Sequence, residues 1–165
     1  MDDTQDLRVL MVEDSAADAE LMLRELQRRM QRPIVHCRVA SEQALVDAID
    51  GFRPDVILSD FSMPSFGGED ALDTALRRAP GTPFLYVSGT IGEERAIEAL
   101  QRGAWDYVLK ENLRRLPTSV ERALRVARER AERAQMQRAL RTSEERFRSI
   151  VETSQDWIWE WDAGL

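Results

Sequence analysis

The stretch Val56-Ile57-Leu58-Ser59-Asp60 is a short apolar run that ends in a hydroxyl and a carboxylate. Four more apolar runs, at 7–12, 34–39, 82–87 and 107–109, lie on either side of it along the chain. Longer amphipathic stretches separate these runs, which is the pattern of a strand–helix repeat. Because the runs are hydrophobic throughout, they fit a parallel sheet that helices cover on both faces. We predict an α/β fold, a doubly wound five-stranded parallel sheet of order 2-1-3-4-5.

The segments between the predicted strands carry helix signals. Ser41 is the predicted N-cap of the second helix, and Gly51 is its predicted C-terminal stop. The first helix has Leu21, Leu23, Leu26 and Met30 at near-helical spacing, and the fourth, residues 91–102, is expected to turn Ala96, Ile97, Ala99 and Leu100 inward.

Composition narrows the function classes. The chain has 165 residues, 43% of them hydrophobic and 32% charged, with a net charge of −7. These values favour a soluble globular protein and argue against nucleic acid as the main partner. We find no stretch apolar enough to span a bilayer and no secretion signal, so a cytoplasmic protein without membrane contact is expected. A single cysteine and a single histidine argue against a protein-bound zinc site.

The side chains that follow the strands are the candidates for chemistry, because the functional crevice of such a sheet lies at the carboxyl ends of its strands. Glu13 and Asp14 follow the first strand, Asp60 the third, Ser88 the fourth and Lys110 the fifth. The predicted strand order brings these ends side by side. We therefore expect three carboxylates, one hydroxyl and one ammonium to converge in one pocket.

This set of side chains suits phosphoryl transfer. Three adjacent carboxylates repel one another, and a hard divalent cation with oxygen ligands relieves the repulsion, so Mg²⁺ is the predicted cofactor. One carboxylate can then act as the covalent nucleophile and become an aspartyl phosphate. It needs no general base because it is already ionised near neutral pH. Lys110, the cation and the Ser88 hydroxyl would stabilise the charge on the phosphoryl oxygens.

Four segments of the sequence carry a family resemblance. They are Val9-Leu10-Met11-Val12-Glu13-Asp14, then Leu58-Ser59-Asp60-Phe61-Ser62-Met63-Pro64 with Gly67-Gly68, then Val87-Ser88-Gly89, and finally Tyr107-Val108-Leu109-Lys110. In this order and spacing they resemble the response-regulator receiver domains of two-component signalling, over about residues 6–128. The resemblance implies a flavodoxin-like fold and a phosphoacceptor that receives its phosphoryl group from a sensor histidine kinase or a phosphotransfer protein.

The resemblance also implies roles for the matched positions. Asp60 is the phosphoacceptor, and Ser88 and Lys110 contact the phosphoryl group. Asp14 and Asp60 bind Mg²⁺ through their side chains, Glu13 binds it through water, and the backbone carbonyl of Ser62 completes the protein ligands.

The switch implied by the resemblance uses Tyr107 and Thr90. Ser88 moves toward the phosphate, and Tyr107 rotates into the space that is vacated beside the fourth strand. One departure from the family pattern lies next to this region. Glu111 follows Lys110 where the family commonly has proline, so we expect a differently shaped loop there.

The last quarter of the chain has a different composition. Residues 120–151 are rich in Arg, Glu and Ala and contain neither Gly nor Pro. Apolar residues recur every three to four positions with a phase break near Met136, which predicts one long helix. We expect 129–151 to be a helical linker, and we predict a parallel homodimer through Val120 to Ile150. A solvated charged helix is the alternative that the pattern leaves open.

A second resemblance lies at the end of the chain. Residues 143–152, followed by Asp156-Trp157-Ile158-Trp159-Glu160-Trp161-Asp162, look like the entry helix and first strand of a PAS sensory domain. The alternating tryptophans predict a strand. We therefore expect 152–165 to be the truncated start of a PAS-like domain.

Two other functions stay open at this point. A degenerate receiver could serve only for docking or dimerisation, although the complete set of acids, Ser88 and Lys110 argues against this. A small enzyme on the same fold, such as an aspartyl-phosphate phosphatase or a flavoprotein, is the other alternative. Ser62 stands at the position of the phosphatase's second aspartate, which disfavours the phosphatase, and the lack of a glycine-rich phosphate loop disfavours nucleotide hydrolysis. We expect no enzyme activity beyond the chain's own phosphorylation and dephosphorylation.

Overall fold

Strands and helices alternate along the chain in the computed structural model, which describes residues 6–64, 66–89 and 92–162. For residues 93 and 153–162 it describes the backbone alone. The elements are β1 Leu7–Val12, α1 Ala16–Arg29, β2 Ile34–Val39, α2 Glu42–Phe52, β3 Val56–Ser59, α3 Gly68–Arg78, β4 Phe84–Ser88, α4 Glu93–Gln101, β5 Asp106–Leu109, a 3₁₀ helix Lys110–Arg115, and α5 Leu116–Asp162.

The five strands form one parallel sheet with the order β2-β1-β3-β4-β5, which confirms the predicted topology. The register pairs Val12 with Ser59 and Ser88 with Leu109. The amide of Asp60 donates to the carbonyl of Val12 at 2.9 Å. The residues that follow β1, β3 and β5 therefore leave the sheet at the same edge.

Two buried apolar clusters cover the two faces of the sheet. Along β1, Leu7, Val9 and Met11 belong to one cluster, whereas Leu10 and Val12 belong to the other. Helices α1 and α5 contribute side chains to the first cluster, and α2, α3 and α4 contribute to the second. Burial on both faces explains why the strands are hydrophobic throughout.

The inward faces of two helices differ from the sequence-based assignment. In α1, Met22 is buried while Leu21 is 50% exposed. In α4, Ala99 is buried, but Ile97 and Leu100 are 50% and 45% exposed, so the prediction that they point inward is wrong. Several neighbouring phases satisfy the helical period when alanines and large apolar residues are mixed. In α4 the small side chain of Ala99 faces the sheet, and the large ones face outward.

The two ends of α2 show one correct and one wrong prediction. Ser41 is the N-cap, and its hydroxyl accepts a hydrogen bond from the amide of Ala44 at 3.3 Å, as predicted. Gly51, however, lies inside the last turn; the helix ends at Phe52, and Arg53 is its C-cap with a φ of 52°. A side-chain-bearing residue is uncommon in this left-handed region, so the sequence pointed to the nearby glycine instead.

Helix α5 runs without interruption from Leu116 to Asp162. The strand predicted at 157–161 is therefore wrong, since the backbone there is helical. A helix satisfies its backbone polar groups internally, whereas a strand needs a neighbour to do so. The chain divides into two compact units, Met1–Ala127 and Arg128–Leu165, and the predicted domain limits stay predictions. No helix within the described residues is long and apolar enough to cross a membrane.

The predicted dimer contact begins too early along α5. Val120 is fully buried and Ala123 nearly so, and both belong to the cluster that α1 and α5 build on the sheet. Their spacing therefore reflects packing within the domain. Farther along, an apolar stripe is exposed, which we define as Met136, Leu140, Phe147 and Ile150.

Gly68 holds the segment after β3 close to the sheet. Its amide donates to the carbonyl of Phe61 at 3.1 Å, and its own carbonyl accepts a hydrogen bond from the Tyr86 hydroxyl at 2.8 Å. A Cβ at this position would lie 2.7 Å from the Cα of Phe61 and 2.8 Å from the carbonyl oxygen of Asp60. The close backbone approach therefore requires glycine.

We expect Gly68→Ala to lower the free energy of unfolding by about 1–3 kcal/mol, because the methyl group would push apart two backbone segments. Gly51→Ala is the matched control. Its Cβ would meet no atom within 4 Å, so this variant should gain up to about 1 kcal/mol from helix propensity. Urea unfolding of both variants measures the difference. Equal stability of Gly68→Ala and the wild type would contradict the packing described here.

Candidate functional site

The Lys110 ammonium lies among three carboxylates that come from three different elements. Its Nζ is 2.8 Å from Oε2 of Glu13, 2.6 Å from Oδ2 of Asp18 and 2.8 Å from Oδ2 of Asp60. Glu13 follows β1, Asp18 lies in the first turn of α1 and Asp60 follows β3. The five-stranded topology thus gathers residues up to 97 positions apart around one cation.

The charged groups of this site are largely buried, so each carboxylate and the ammonium strongly affect one another's electrostatics. The Glu13 side chain has no exposed surface, and the Asp60 and Lys110 side chains are only 10% and 20% exposed. Burial raises the pKa of Glu13, although hydrogen bonds from Lys110 and from the Ser15 amide act in the opposite direction. Burial also lowers the pKa of Lys110, but its hydrogen bonds to Asp18, Asp60 and Glu13 outweigh this and raise the pKa above the ordinary value. The ammonium therefore stays charged at neutral pH.

Both carboxylate oxygens of Asp60 are held in place. Oδ1 accepts a hydrogen bond from the amide of Ser62 at 3.1 Å, and Oδ2 accepts one from Lys110 at 2.8 Å. The Asp60 amide is tied to the carbonyl of Val12 at 2.9 Å. Fixed backbone and side-chain contacts orient this carboxylate at the edge of the sheet, with 7% of the residue exposed.

The acidic residues fit a hard divalent cation. One carboxylate oxygen from each of Glu13, Asp14 and Asp60 lies within 4.8 Å of the other two. Oxygen ligands of this kind are those that Mg²⁺ prefers. Glu13 is fully buried and Asp14 is exposed, so the cluster reaches from the interior to the surface. The predicted cation ligands Glu13, Asp14 and Asp60 are thus brought together.

The remaining predicted residues lie around this cluster. Ser88 is 1% exposed and ends β4, beside Leu109 of β5, which places it one residue away from Lys110 in the register. The Tyr107 hydroxyl oxygen is buried, and the ring packs against the cluster of apolar side chains that α2, α3 and α4 share. Thr90 lies outside the described residues.

The segment after Lys110, where Glu111 stands in place of the family's common proline, forms a short helix. Lys110 opens a 3₁₀ helix that reaches Arg115, with a non-helical residue at Asn112. The described part of the chain contains no cis peptide bond. The ammonium is therefore presented from the start of a short helix.

Two contributors to the site were missed by sequence reasoning. Asp18 binds Lys110, and Arg38 donates from Nη1 to the carbonyls of Glu13 and Asp14 at 3.0 and 3.2 Å. Asp18 is the acidic residue in the first turn of the helix that directly follows the acidic pair, and that position is the signal that could have found it. Arg38 lies on the edge strand β2, and only the pairing of β2 with β1 brings it near the acids.

Comparison with known proteins identifies the fold and the family. A sequence model of the response regulator receiver domain matches residues 9–121. A protein-glutamate methylesterase/protein-glutamine glutaminase from Maricaulis maris is 34% identical over 116 residues, which are 69% of this chain and 29% of that protein. The regulatory protein AtoC from Escherichia coli is 36% identical over 109 residues, covering 66% of this chain and 23% of that protein.

Solved structures show the same architecture. The response regulator domain of Thermotoga maritima CheB gives a TM-score of 0.61 at 27% identity and covers 74% of this chain and 96% of that one. A CheY-like receiver domain protein from Methanospirillum hungatei gives a TM-score of 0.65 at 22% identity, covering 76% and 99%. The second likeness shows the fold alone.

The relatives correct one expectation. Several are named as methylesterases and glutaminases, which are enzymes, so the expectation that enzyme activity would be absent is wrong. The chain resembles only their receiver part and spans about three tenths of their length.

The matched residues end at 121, so the PAS resemblance of 152–165 gains no support from the family model. Over the part that does match, the sequence model, the sheet order and the acidic cluster with its lysine agree. The chain belongs to the response regulator receiver domain family.

Proposed function

We propose that Asp60 of this chain accepts a phosphoryl group from a phosphohistidine on a sensor histidine kinase or a phosphotransfer protein. The observation that carries the proposal is the 2.8 Å contact between Lys110 Nζ and Asp60 Oδ2 at the carboxyl edge of the sheet. This contact places the Lys110 ammonium, a charged hydrogen-bond donor, against the Asp60 carboxylate, the proposed nucleophile. A cytoplasmic site of action belongs to the same proposal.

The transfer balances without a general base. The P–N bond to the donor imidazole breaks, and a P–O bond to a carboxylate oxygen of Asp60 forms. The electron pair of the broken bond stays on the imidazole nitrogen. Lys110 then donates to an oxygen of the phosphoryl group, and its positive charge offsets the negative charge there. Ser88, which ends β4, is proposed to donate a further hydrogen bond to a phosphoryl oxygen.

We propose that Mg²⁺ is held by the side chains of Asp14 and Asp60, by the carbonyl of Ser62, and through water by Glu13. When bound, the ion would neutralise charge on the phosphoryl oxygens. The mutual approach of the three carboxylates supports this assignment. Arg38 keeps the carbonyls of Glu13 and Asp14 in place from the neighbouring strand.

Tyr107 is proposed to report the state of the site, together with Ser88 and Thr90. Its hydroxyl is already buried in this structure. The proposed change therefore runs between this inward position and an outward one, and phosphorylation shifts the populations of two conformations that both exist beforehand. The exposed side chains of Ile97 and Leu100 on α4 belong to the surface that this movement would alter.

We expect acetyl phosphate with Mg²⁺ to add one phosphoryl group to the wild type, as read from the intact mass. Asp60→Asn should add none, because the amide is not a nucleophile. Lys110→Gln should slow the reaction by about a hundredfold or more, since a preorganised charge is lost. Removal of Mg²⁺ with EDTA should stop the reaction.

Asp70→Asn is the matched control for the loss of an aspartate. Asp70 is exposed in the first turn of α3 and makes no part of the cluster, so its adduct should form at the wild-type rate. An adduct on Asp60→Asn equal to that on the wild type would refute the assignment of the acceptor. A wild type without adduct would favour a degenerate docking module.

We further propose that the chain forms a parallel homodimer through the apolar stripe and that α5 carries the phosphorylation signal to a downstream module. Met136, Leu140, Phe147 and Ile150 are 61–70% exposed and repeat with intervals of four, seven and three residues. That repeat is typical of a coiled-coil contact. Covering exposed large apolar side chains of this kind with a partner removes apolar surface from water and so stabilises the dimer.

The double variant Leu140→Gln with Phe147→Gln should be a monomer under conditions where the wild type is a dimer, because two apolar contacts are lost. Light scattering at high protein concentration, with and without BeF₃⁻, measures the change. Arg138→Gln with Glu145→Gln is the control, since both residues lie on the opposite side of the same helix and the net charge is kept. A wild type that stays monomeric under both conditions rules out the dimer.

A further inference from the structure

Asp18 binds the lysine of the site without belonging to the acidic cluster. Its Oδ2 is 2.6 Å from Lys110 Nζ, and its side chain is 36% exposed. Among the described residues, the carboxylates grouped closely enough to share a metal ion are Glu13, Asp14 and Asp60. Asp18 is therefore the one ammonium partner that a bound cation leaves untouched.

The position of Asp18 is fixed by the start of α1. Its amide donates to the Ser15 hydroxyl at 3.2 Å, which caps the helix. The amide of Ser15 in turn donates to Oε1 of Glu13 at 3.0 Å. One short segment thus holds the acidic pair, the helix cap and the Asp18 carboxylate in a single arrangement.

Asp18 matters because Lys110 and the proposed cation would compete for the same carboxylates. Lys110 shares Glu13 and Asp60 with the proposed cation site, and two cations around the same carboxylates repel each other. The lysine side chain has four rotatable bonds and a strongly hydrated head, so it is readily lost to solvent when its partners are taken. A carboxylate that still binds the ammonium, as Asp18 does, opposes that loss.

We propose that Asp18 is a positioning residue that keeps Lys110 beside Asp60 when a divalent cation engages Glu13 and Asp60. The proposal rests on the function proposed above. Under this proposal, one N–H of the Lys110 ammonium keeps donating to Asp18. The other two N–H groups become available to donate to the oxygens of the incoming phosphoryl group.

The chain offers a direct test because Lys110 is its single lysine. Protein labelled with ¹⁵N-lysine has one side-chain ammonium, and its NMR signal persists only while hydrogen bonds slow proton exchange with water. The signal should remain in Mg²⁺-loaded wild type and disappear in Mg²⁺-loaded Asp18→Asn. Asp18→Glu, which keeps the charge, should restore it at least in part.

Glu20→Gln is the matched control, because Glu20 is an exposed acid on the same helix and pairs with Arg24, away from Lys110. Its ammonium signal should equal that of the wild type. An Asp18→Asn protein that keeps the signal in Mg²⁺ would overturn the proposal. A wild type that loses the signal in Mg²⁺ would overturn it as well, since Lys110 would then not be held.

The rate of phosphorylation gives a second readout. With saturating Mg²⁺ and acetyl phosphate, Asp18→Asn should react between about tenfold and a hundredfold more slowly than the wild type and Glu20→Gln, because a misplaced group loses its orientation. An unchanged rate would overturn the proposal. If the wild type forms no adduct at all, the proposed function fails, while the ammonium signal still decides whether Asp18 holds Lys110.

Discussion

The contact of one ammonium with three carboxylates is the interaction on which the edge of this sheet depends. Glu13 has no exposed surface, and a buried carboxylate without a partner is costly. Lys110 supplies that partner and at the same time binds Asp60 and Asp18. Because the three acids belong to separate elements, the contact links β1, α1 and β3 to the end of β5. The lysine proposed to act in phosphoryl transfer thus also ties these elements together.

A second buried acid connects the site to helix α5. Asp106, at the start of β5, is 7% exposed and binds Arg122 of α5 at 2.8 Å and Arg115 of the 3₁₀ helix at 3.5 Å. It also accepts a hydrogen bond from the amide of Tyr107 at 2.8 Å. Strand β5, which contains Tyr107 and is followed by Lys110, is therefore held by ion pairs at both ends. A change in β5 has a direct physical route to the first turns of α5.

The sequence predicted those features that follow from repeating pattern and from sheet topology. Strands buried on both faces are continuous apolar runs, and their carboxyl ends must meet, so Glu13, Asp14, Asp60 and Lys110 could be grouped in advance. Features that depend on side-chain reach were missed. Tertiary packing decides that the side chains of Ile97 and Leu100 point outward. It also decides that Asp18 pairs with Lys110. At the end of α2, Arg53 adopts the left-handed conformation in which a glycine is normally expected.

The single lysine also shows why two basic side chains are used differently here. Arg102 places one nitrogen 2.9 Å from both oxygens of Asp73 and another 2.8 Å from Glu69, which suits a planar guanidinium with donors in a fixed fork. Lys110 binds carboxylates from three separate parts of the chain, and a compact ammonium with three rotatable donors can meet all of them. Three acids that converge on one nitrogen therefore suit the compact ammonium of a lysine.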